Sequence, residues 1–257
     1  MPNKDLEIEK KILKIRKENP NYGYRRITAI LKRSGLTINK KKVQRLVQKL
    51  KIQVKNFSTK TRKYSSYKGT VGKIADNKIK RNFKVEKPYS KITTDTTEFK
   101  YLQKDKSGNY QINKLYLNPY LDMYNSEILS YEISKKPTLE PILKALDRTI
   151  KITSKSKEER IFHSDQGWAY QVKQYTSKLE ENGITQSMSR KGNCLDNSPM
   201  ENFFGILKQE IYYGRKFYSY EHLKQTIEDF IKYYNEERIK EKLGYLSPVE
   251  YREKNVA

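Results

Sequence analysis

The chain has 257 residues, 35% hydrophobic and 33% charged, enough for one large domain or a core with a small partner domain. Lys and Arg total 54 against 30 Asp and Glu, a formal charge of +24, and 27 of those basic residues stand with only 6 acids in residues 1–90 (net +21), the footprint of a nucleic-acid binder. One cysteine, Cys194, and two distant histidines, His163 and His222, exclude a disulfide framework and a His₂Cys₂ zinc finger, and no apolar run approaches the roughly 18 residues of a membrane span.

Residues 4–18 place Ile8, Ile12 and Ile15 at helical spacing, and Asn19-Pro20 ends the stretch. Residues 23–34 put Tyr24, Ile27, Ile30 and Leu31 on one face, and Gly35 closes it. Asn39 predicts an N-cap for a third helix, with Val43, Leu46, Val47 and Leu50 as its apolar stripe. Lys41, Lys42, Arg45 and Lys49 lie largely off that stripe. Three short helices, the last apolar on one side and basic on the other, fit a helix-turn-helix unit over residues 1–54; a small bundle with a solvated charged face fits the same pattern. Residues 55–88 lack periodicity and interleave Lys with Tyr and Phe. They read as a basic linker suited to a phosphate backbone, or as a tether that orders on binding.

From residue 90 short strands take over. Lys91–Leu102 predicts one strand, a turn follows at Lys106–Asn109, and Lys114–Tyr124 and Glu127–Ile133 complete an antiparallel set. Leu139–Ile150 predicts a helix with Leu139, Leu143, Leu146 and Ile150 on its stripe. Arg160–Asp165 is a strand ending in an acid, Ala169–Gly183 a helix with a glycine stop, and Ile184–Met188 a strand. A polar loop leads to a helix over Met200–Tyr213, capped by Asn197 or Ser198 with Pro199 in its first turn, and a last helix covers roughly 219–235. The order is a mixed α/β layout, an antiparallel hairpin set extended by crossover units.

Three carboxylates stand out. Asp95 falls inside the first strand, Asp165 ends a short strand before a Gly turn, and Glu201 opens a helix; 69 residues separate the first two and 35 the last two. Strand ends of this kind are where open α/β sheets place ligand sites. Phosphodiester chemistry needs an activated oxygen nucleophile and a stabilised leaving oxygen, which two Mg²⁺ ions roughly 3.5–4 Å apart supply, and Mg²⁺ takes oxygen ligands. Each acid alone also has an ordinary reading: a solvated edge charge, a turn residue and a helix N-terminal dipole partner. Asp122, in a strand, and Asp196, in the loop before Glu201, are decoy acids, and Asp196 reads as loop or cap chemistry.

The segments HSDQGWAY, KGNCLDNSPMENFFGILKQE and YYNEERIKEKLGYLSPVEY resemble the DDE transposases of bacterial insertion sequences. The closest likeness is to family three, in its second-frame product with a retroviral-integrase-type core. YGYRRITAILKRSGLTINKKKVQRLV and TTDTTEF resemble it too, so the likeness runs over about residues 20–252. The 35-residue gap with Lys seven residues after Glu carries most of its specificity. There are departures: Gln166 stands where Arg is common, Lys240 where His is frequent, and no Trp precedes the first acid.

The resemblance implies a ribonuclease-H-like core over 89–212, preceded by the linker of 55–88 and followed by a helical extension over 213–257. It implies a catalytic and metal-binding triad of Asp95, Asp165 and Glu201, two Mg²⁺ ions with Mn²⁺ as substitute, and Lys208 on the DNA end. His163, two residues before Asp165, shares its strand face and is either an assisting group or a packing histidine. Arg25, Arg26, Lys41, Lys42, Arg45, Lys49, Arg62, Lys63 and Lys191 are the further candidate DNA contacts. The implied activity is cleavage and strand transfer of insertion-sequence ends. Element ends and target DNA are the expected partners, with homo-oligomerisation on DNA, a possible first-frame product, and no membrane. The expected location is the cytoplasm, in association with the nucleoid. The competing readings are an inactive end-binding protein and a ribonuclease-H-fold nuclease without strand transfer.

Overall fold

The computed structural model describes residues 5–54 and 72–255. Arg62 and Lys63 lie outside the described residues. Three helices come first, α1 (Leu6–Glu18), α2 (Tyr24–Arg33) and α3 (Lys40–Lys49). Their apolar stripes meet in one cluster of Ile12, Ile15, Ile27, Leu31, Val43, Leu46 and Val47. Asn39 caps α3 as its sequence predicts, its side chain accepting from the Lys41 N–H at 2.9 Å. Gly35 takes the left-handed turn that ends α2 (φ +86°).

The core is a six-stranded mixed sheet: β1 (Lys91–Thr94), β2 (Thr97–Lys104), β3 (Tyr110–Asp122), β4 (Ile128–Ser134), β5 (Arg160–Ser164) and β6 (Ile184–Met188). β2, β3 and β4 form antiparallel ladders, while β1, β5 and β6 run parallel. The single first strand expected over 91–102 is two strands. The pairing of Thr94 with Tyr120 and of Thr97 with Leu117 belongs to one register, so β1 and β2 continue each other along β3. The ladder lapses at Asp95-Thr96, where Asp95 falls opposite Pro119, a residue with no N–H to donate.

Helices cover both faces. On one face, α4 (Leu139–Thr153) and α6 (Lys173–Glu181) bury Ile142, Ala145, Leu146, Tyr175 and Leu179 against Ile92, Tyr120 and Phe162. On the other, α7 (Ser198–Leu207) and α8 (Tyr220–Glu236) bury Met200, Phe203, Leu207, Leu223, Ile227 and Phe230 against Phe99, Leu115, Leu117 and Leu121. This mixed three-layer sheet is the ribonuclease-H-like architecture, with the helical unit before it. Phe217 and α8 thus share the core of the sheet, while Ile239 joins the cluster of the first three helices. α9 (Pro248–Asn255) closes the described chain.

Other expectations shift in detail. The α4 stripe is rotated: Ile142, Ala145, Leu146 and Thr149 are buried, while Leu139, Leu143 and Ile150 are only partly covered. The helix expected over Ala169–Gly183 divides into α5 (Trp168–Gln171) and α6, because Val172 is extended (ψ 147°). The helix expected over Met200–Tyr213 starts at Ser198 and turns into one π turn at Lys208–Tyr212. Residues 72–88 are not a free tether. Ile79 is buried, the Lys78 N–H reaches Ser187, and the Met188 N–H reaches the Asp76 carbonyl. This strap lies along β6.

Candidate active site

Asp95 and Asp165 follow the carboxyl ends of two neighbouring parallel strands. Thr93 pairs with His163 across β1 and β5. Continuing that register by two residues sets Asp95 beside Asp165, on the sheet face shared with Thr93 and His163. Both carboxylates are held by local backbone: Asp95 accepts from the Thr96 N–H at 2.7 Å, and Asp165 from the Gly167 N–H at 2.8 Å. Gly167 is required by contact. A Cβ there would stand 2.8 Å from the Asp165 Oδ1 and 3.3 Å from the Tyr170 ring.

Glu201 lies in the first turn of α7. Lys208, seven residues on, follows two helical turns later on the same face. The Lys208 ammonium sits 5.1 Å from the centre of the Phe99 ring on β2, the strand that begins two residues after Asp95. Burial pushes the Asp95 carboxyl well above the usual carboxylate range; the Asp165 and Glu201 charges add to this, and the Thr96 N–H and Lys208 oppose it. Burial likewise raises Asp165, opposed by the Gly167 N–H. Among the described residues no three acidic, His or Cys side chains already stand as a ready metal cluster. The two aspartates form the pair, and Glu201 is felt at Asp95 through its charge.

The surroundings of this pair are built by a buried acid that sequence reasoning treated as loop chemistry. Asp196, fully enclosed, accepts from Arg190 at 2.9 Å, from Arg81 of the strap at 2.8 Å and from Asn77 at 3.0 Å. The Arg190 contact, then Arg81 and the Arg190 backbone N–H, hold its carboxyl well below the usual range against the effect of burial. The neighbouring Asn197 does not cap α7. Its side chain bonds the Thr93 hydroxyl and the Thr94 carbonyl, tying the start of α7 to the strand that presents Asp95. Asp122 accepts backbone N–H groups from Tyr89 and Tyr124 and is likewise structural.

His163 has no exposed surface. Its Nδ1 pairs with Ser187, and its Nε2 with Ser189 and the Asp196 carbonyl. Burial lowers its pKa to about 4, so the ring is neutral and its nitrogens serve the loop. That is the packing alternative. Tyr170 was missed: its hydroxyl is buried, has no hydrogen-bond partner among the described residues, and feels the charges of both Asp95 and Asp165. Only its position five residues after Asp165 hints at it.

The candidate DNA contacts divide. Arg25 pairs with Glu241 at 3.0 Å; Lys42 and Arg45 pair with Asp5 at 2.7 and 3.1 Å, and Lys49 with Glu9 at 2.7 Å. Lys41 and Lys191 are exposed, and Arg26 leans over the Tyr22 ring at 5.3 Å. No helix among the described residues is long and apolar enough to cross a membrane.

A mixed sheet with paired aspartates at the ends of adjacent parallel strands, facing a helix that carries Glu and Lys, defines an integrase-type polynucleotidyl transferase core. Family models match along the chain in the same order: an HTH-like domain over residues 2–58, an integrase core domain over 85–194 and a second integrase core domain model over 201–256. The putative transposase InsK for insertion sequence element IS150 of Escherichia coli (strain K12) is 43% identical over 252 residues, covering 98% of this chain and 84% of that protein. An uncharacterized transposase-like protein of Haemophilus influenzae is 49% identical over 220 residues, covering 86% and 95%. Among solved structures, the HTLV-2 integrase catalytic core domain in complex with magnesium is 15% identical, with a TM-score of 0.46, over 64% of this chain and 96% of that one. The chain belongs to the insertion-sequence transposases with an integrase core.

Proposed function

We propose that this transposase cuts the ends of its own insertion element and joins the freed ends to a second phosphodiester, both at the site of Asp95, Asp165 and Glu201. The observation that carries this is the register of β1 with β5, which sets two carboxylates side by side where each raises the cost of ionising the other. Such a pair is unfavourable alone and favourable around a divalent cation. The donor set is all oxygen, and the Tyr170 hydroxyl beside it is buried without a partner among the described residues, so the site fits a hard metal. Asp95, Asp165 and Glu201 would hold two Mg²⁺ ions, with Mn²⁺ as a substitute. When bound, these supply an activated oxygen nucleophile and a stabilised departing oxygen.

The chain's own residues do the rest. The Thr96 and Gly167 N–H groups orient the two aspartates. Asn197 and Asp196 fix the start of α7 and with it Glu201. Lys208 offers a positive charge beside the acids for the phosphate of the DNA end. In the first reaction water forms a new P–O bond and the element's 3′ oxygen leaves with a proton. In the second that 3′-OH attacks another phosphodiester, and one P–O bond is exchanged for another without a covalent enzyme intermediate. The partners of this reaction are the element's terminal repeats and a target duplex, with oligomers of the chain assembled on DNA and a first-frame product of the same element as a further partner. Association with the nucleoid follows from that binding.

The test is Asp95→Asn, assayed on a duplex from the end of its element. DNA affinity should be retained, while cleavage and strand transfer in Mg²⁺ or Mn²⁺ should fall by about 10³-fold or more, the equivalent of several kcal/mol of transition-state stabilisation. Full cleavage by this variant would remove the metal role. Cleavage by the wild type without joining of a supplied 3′-OH would make it a nuclease, and binding alone an inactive end-binding protein.

A further inference from the structure

A second charged site lies outside the acidic one. A cavity of about 470 Å³ opens between α2, the α7 face bearing Ser198 and Asn202, and residues 238–243. Its charged lining is mostly basic: Arg26, Arg238, Lys240 and Lys242, with Glu241 as the acid. Glu241 is already paired with Arg25. Arg238 is 1% exposed. Its Nε and Nη2 both donate to Glu210, at 3.0 and 2.6 Å, but its buried Nη1 has no acceptor among the described residues.

A buried guanidinium N–H left without an acceptor is costly and rare. Around it the charges do not balance. Arg26 and Arg238 share the Glu210 carboxylate, Glu241 is taken by Arg25, and Lys240 stands with them on the same wall. Burial, and then the Arg238, Arg26 and Lys242 charges, drive the Lys240 ammonium well below the usual lysine range. Lys240 rests over the Tyr234 ring at 4.3 Å and donates to its hydroxyl, a neutral partner that leaves the charge uncompensated. Burial and Arg238 lower Arg26 as well. Apolar packing does not call for three cations here; an anion does. On α7 the Asn202 amide adds a donor to the same wall, while the Ser198 hydroxyl beside it already donates to the Leu195 carbonyl at 2.6 Å.

We infer that this pocket binds a backbone phosphate of DNA, with Arg238 donating through Nη1, and Arg26 and Lys240 supplying charge. The pocket joins the helical unit, through Arg26, to the helix that carries Glu201. A phosphate seated there ties the bound duplex to both parts at once. The inference rests on the DNA-processing reading above.

The experiment uses the full chain without divalent cation, so that it reads binding and not cutting. Wild type, Lys240→Met and Arg26→Gln are titrated with a duplex from the element end across a range of NaCl. Each variant should bind about tenfold more weakly, and the slope of log K against log salt should shrink by about one for the lost phosphate contact. Thermal unfolding in sodium phosphate against NaCl at matched ionic strength is the second arm. Phosphate should raise the midpoint of wild type more than that of Lys240→Met, while Lys240→Met in NaCl should melt at or above wild type because it removes a buried like charge. Folded variants with unchanged slope and affinity would overturn the inference alone. A phosphate-specific stabilisation lost in Lys240→Met without any change in DNA binding would make this a free-phosphate pocket and overturn the DNA assignment. Failure of the wild type to bind the duplex would overturn both this and the DNA-processing reading.

Discussion

Gly167 decides how near Asp165 can stand to its ring neighbour. With no side chain, it gives its N–H to the carboxylate and leaves room for both the Oδ1 and the Tyr170 ring. Gly167→Ala should therefore move the carboxylate by a fraction of an ångström to an ångström, and strand transfer should drop by about 10²-fold with the melting midpoint almost unchanged. Kinetics and a melt of the same preparation check this. At Asp122 the consequence is a pH dependence. Burial raises its carboxyl to about 7, above the ordinary value of about 3.9. The folded chain keeps this proton where the unfolded chain has lost it, so stability falls as pH rises from about 4 to about 7 and is level above. Asp95 and Asp165, also raised, act in the same direction. The readout is thus the difference between wild type and Asp122→Asn: the urea midpoint should fall less between pH 5 and pH 8 in the variant.

At the scale of elements, the strap of residues 72–88 and the start of α7 form one unit around Asp196. Arg81 and Asn77 from the strap, and Arg190 from the loop after β6, all converge on that carboxylate. Charge-assisted bonds of this kind contribute about 1.5–3 kcal/mol each when the acceptor is buried. Arg81→Met removes one of them, together with the bond to Asn193. Trypsin should then cut the strap between Lys78 and Lys87 faster than in wild type, and strand transfer should weaken because Glu201 begins a helix anchored by the same loop. Equal cleavage rates would mean that the strap holds without Asp196.

For the whole molecule, the raised carboxyls of the acidic site are a destabilising feature that the proposed cation would relieve. The raised carboxyls of Asp95 and Asp165 cost stability as they ionise, and a divalent ion that binds the folded state offsets this by RT ln(1 + [L]/Kd), about 2.7 kcal/mol at a hundred times Kd. Mg²⁺ should raise the melting midpoint, more at pH 8 than at pH 5 because protons compete with it at the lower pH. The gain should vanish in Asp95→Asn. A shift of equal size in that variant would locate the ion elsewhere.

Much of this was legible in the linear chain. Periodicity places α1, α2 and α3, the Asn39 cap is local chemistry, and the family resemblance, through the gap of 35 residues before Glu201, singles out the three candidate acids. Each depends on neighbours in sequence or on motif distance. The rest depends on what meets across space. The lapse between β1 and β2 falls opposite Pro119 on another strand, and the buried stripe of α4 is the one that meets Ile92, Tyr120 and Phe162 of the sheet. His163 looks the same as an assisting group or as a packing one until Ser187, Ser189 and the Asp196 carbonyl close around it. Composition shows 54 basic side chains but not which of them turn inward. Only the tertiary structure pairs Arg25 with Glu241, ties Lys42 and Arg45 to Asp5 ahead of the first helix and Lys49 to Glu9 within it, and leaves one guanidinium N–H of Arg238 buried without an acceptor among the described residues. Charge is a property of the residue, whereas the cost of holding it is set by burial and by the groups the fold brings beside it.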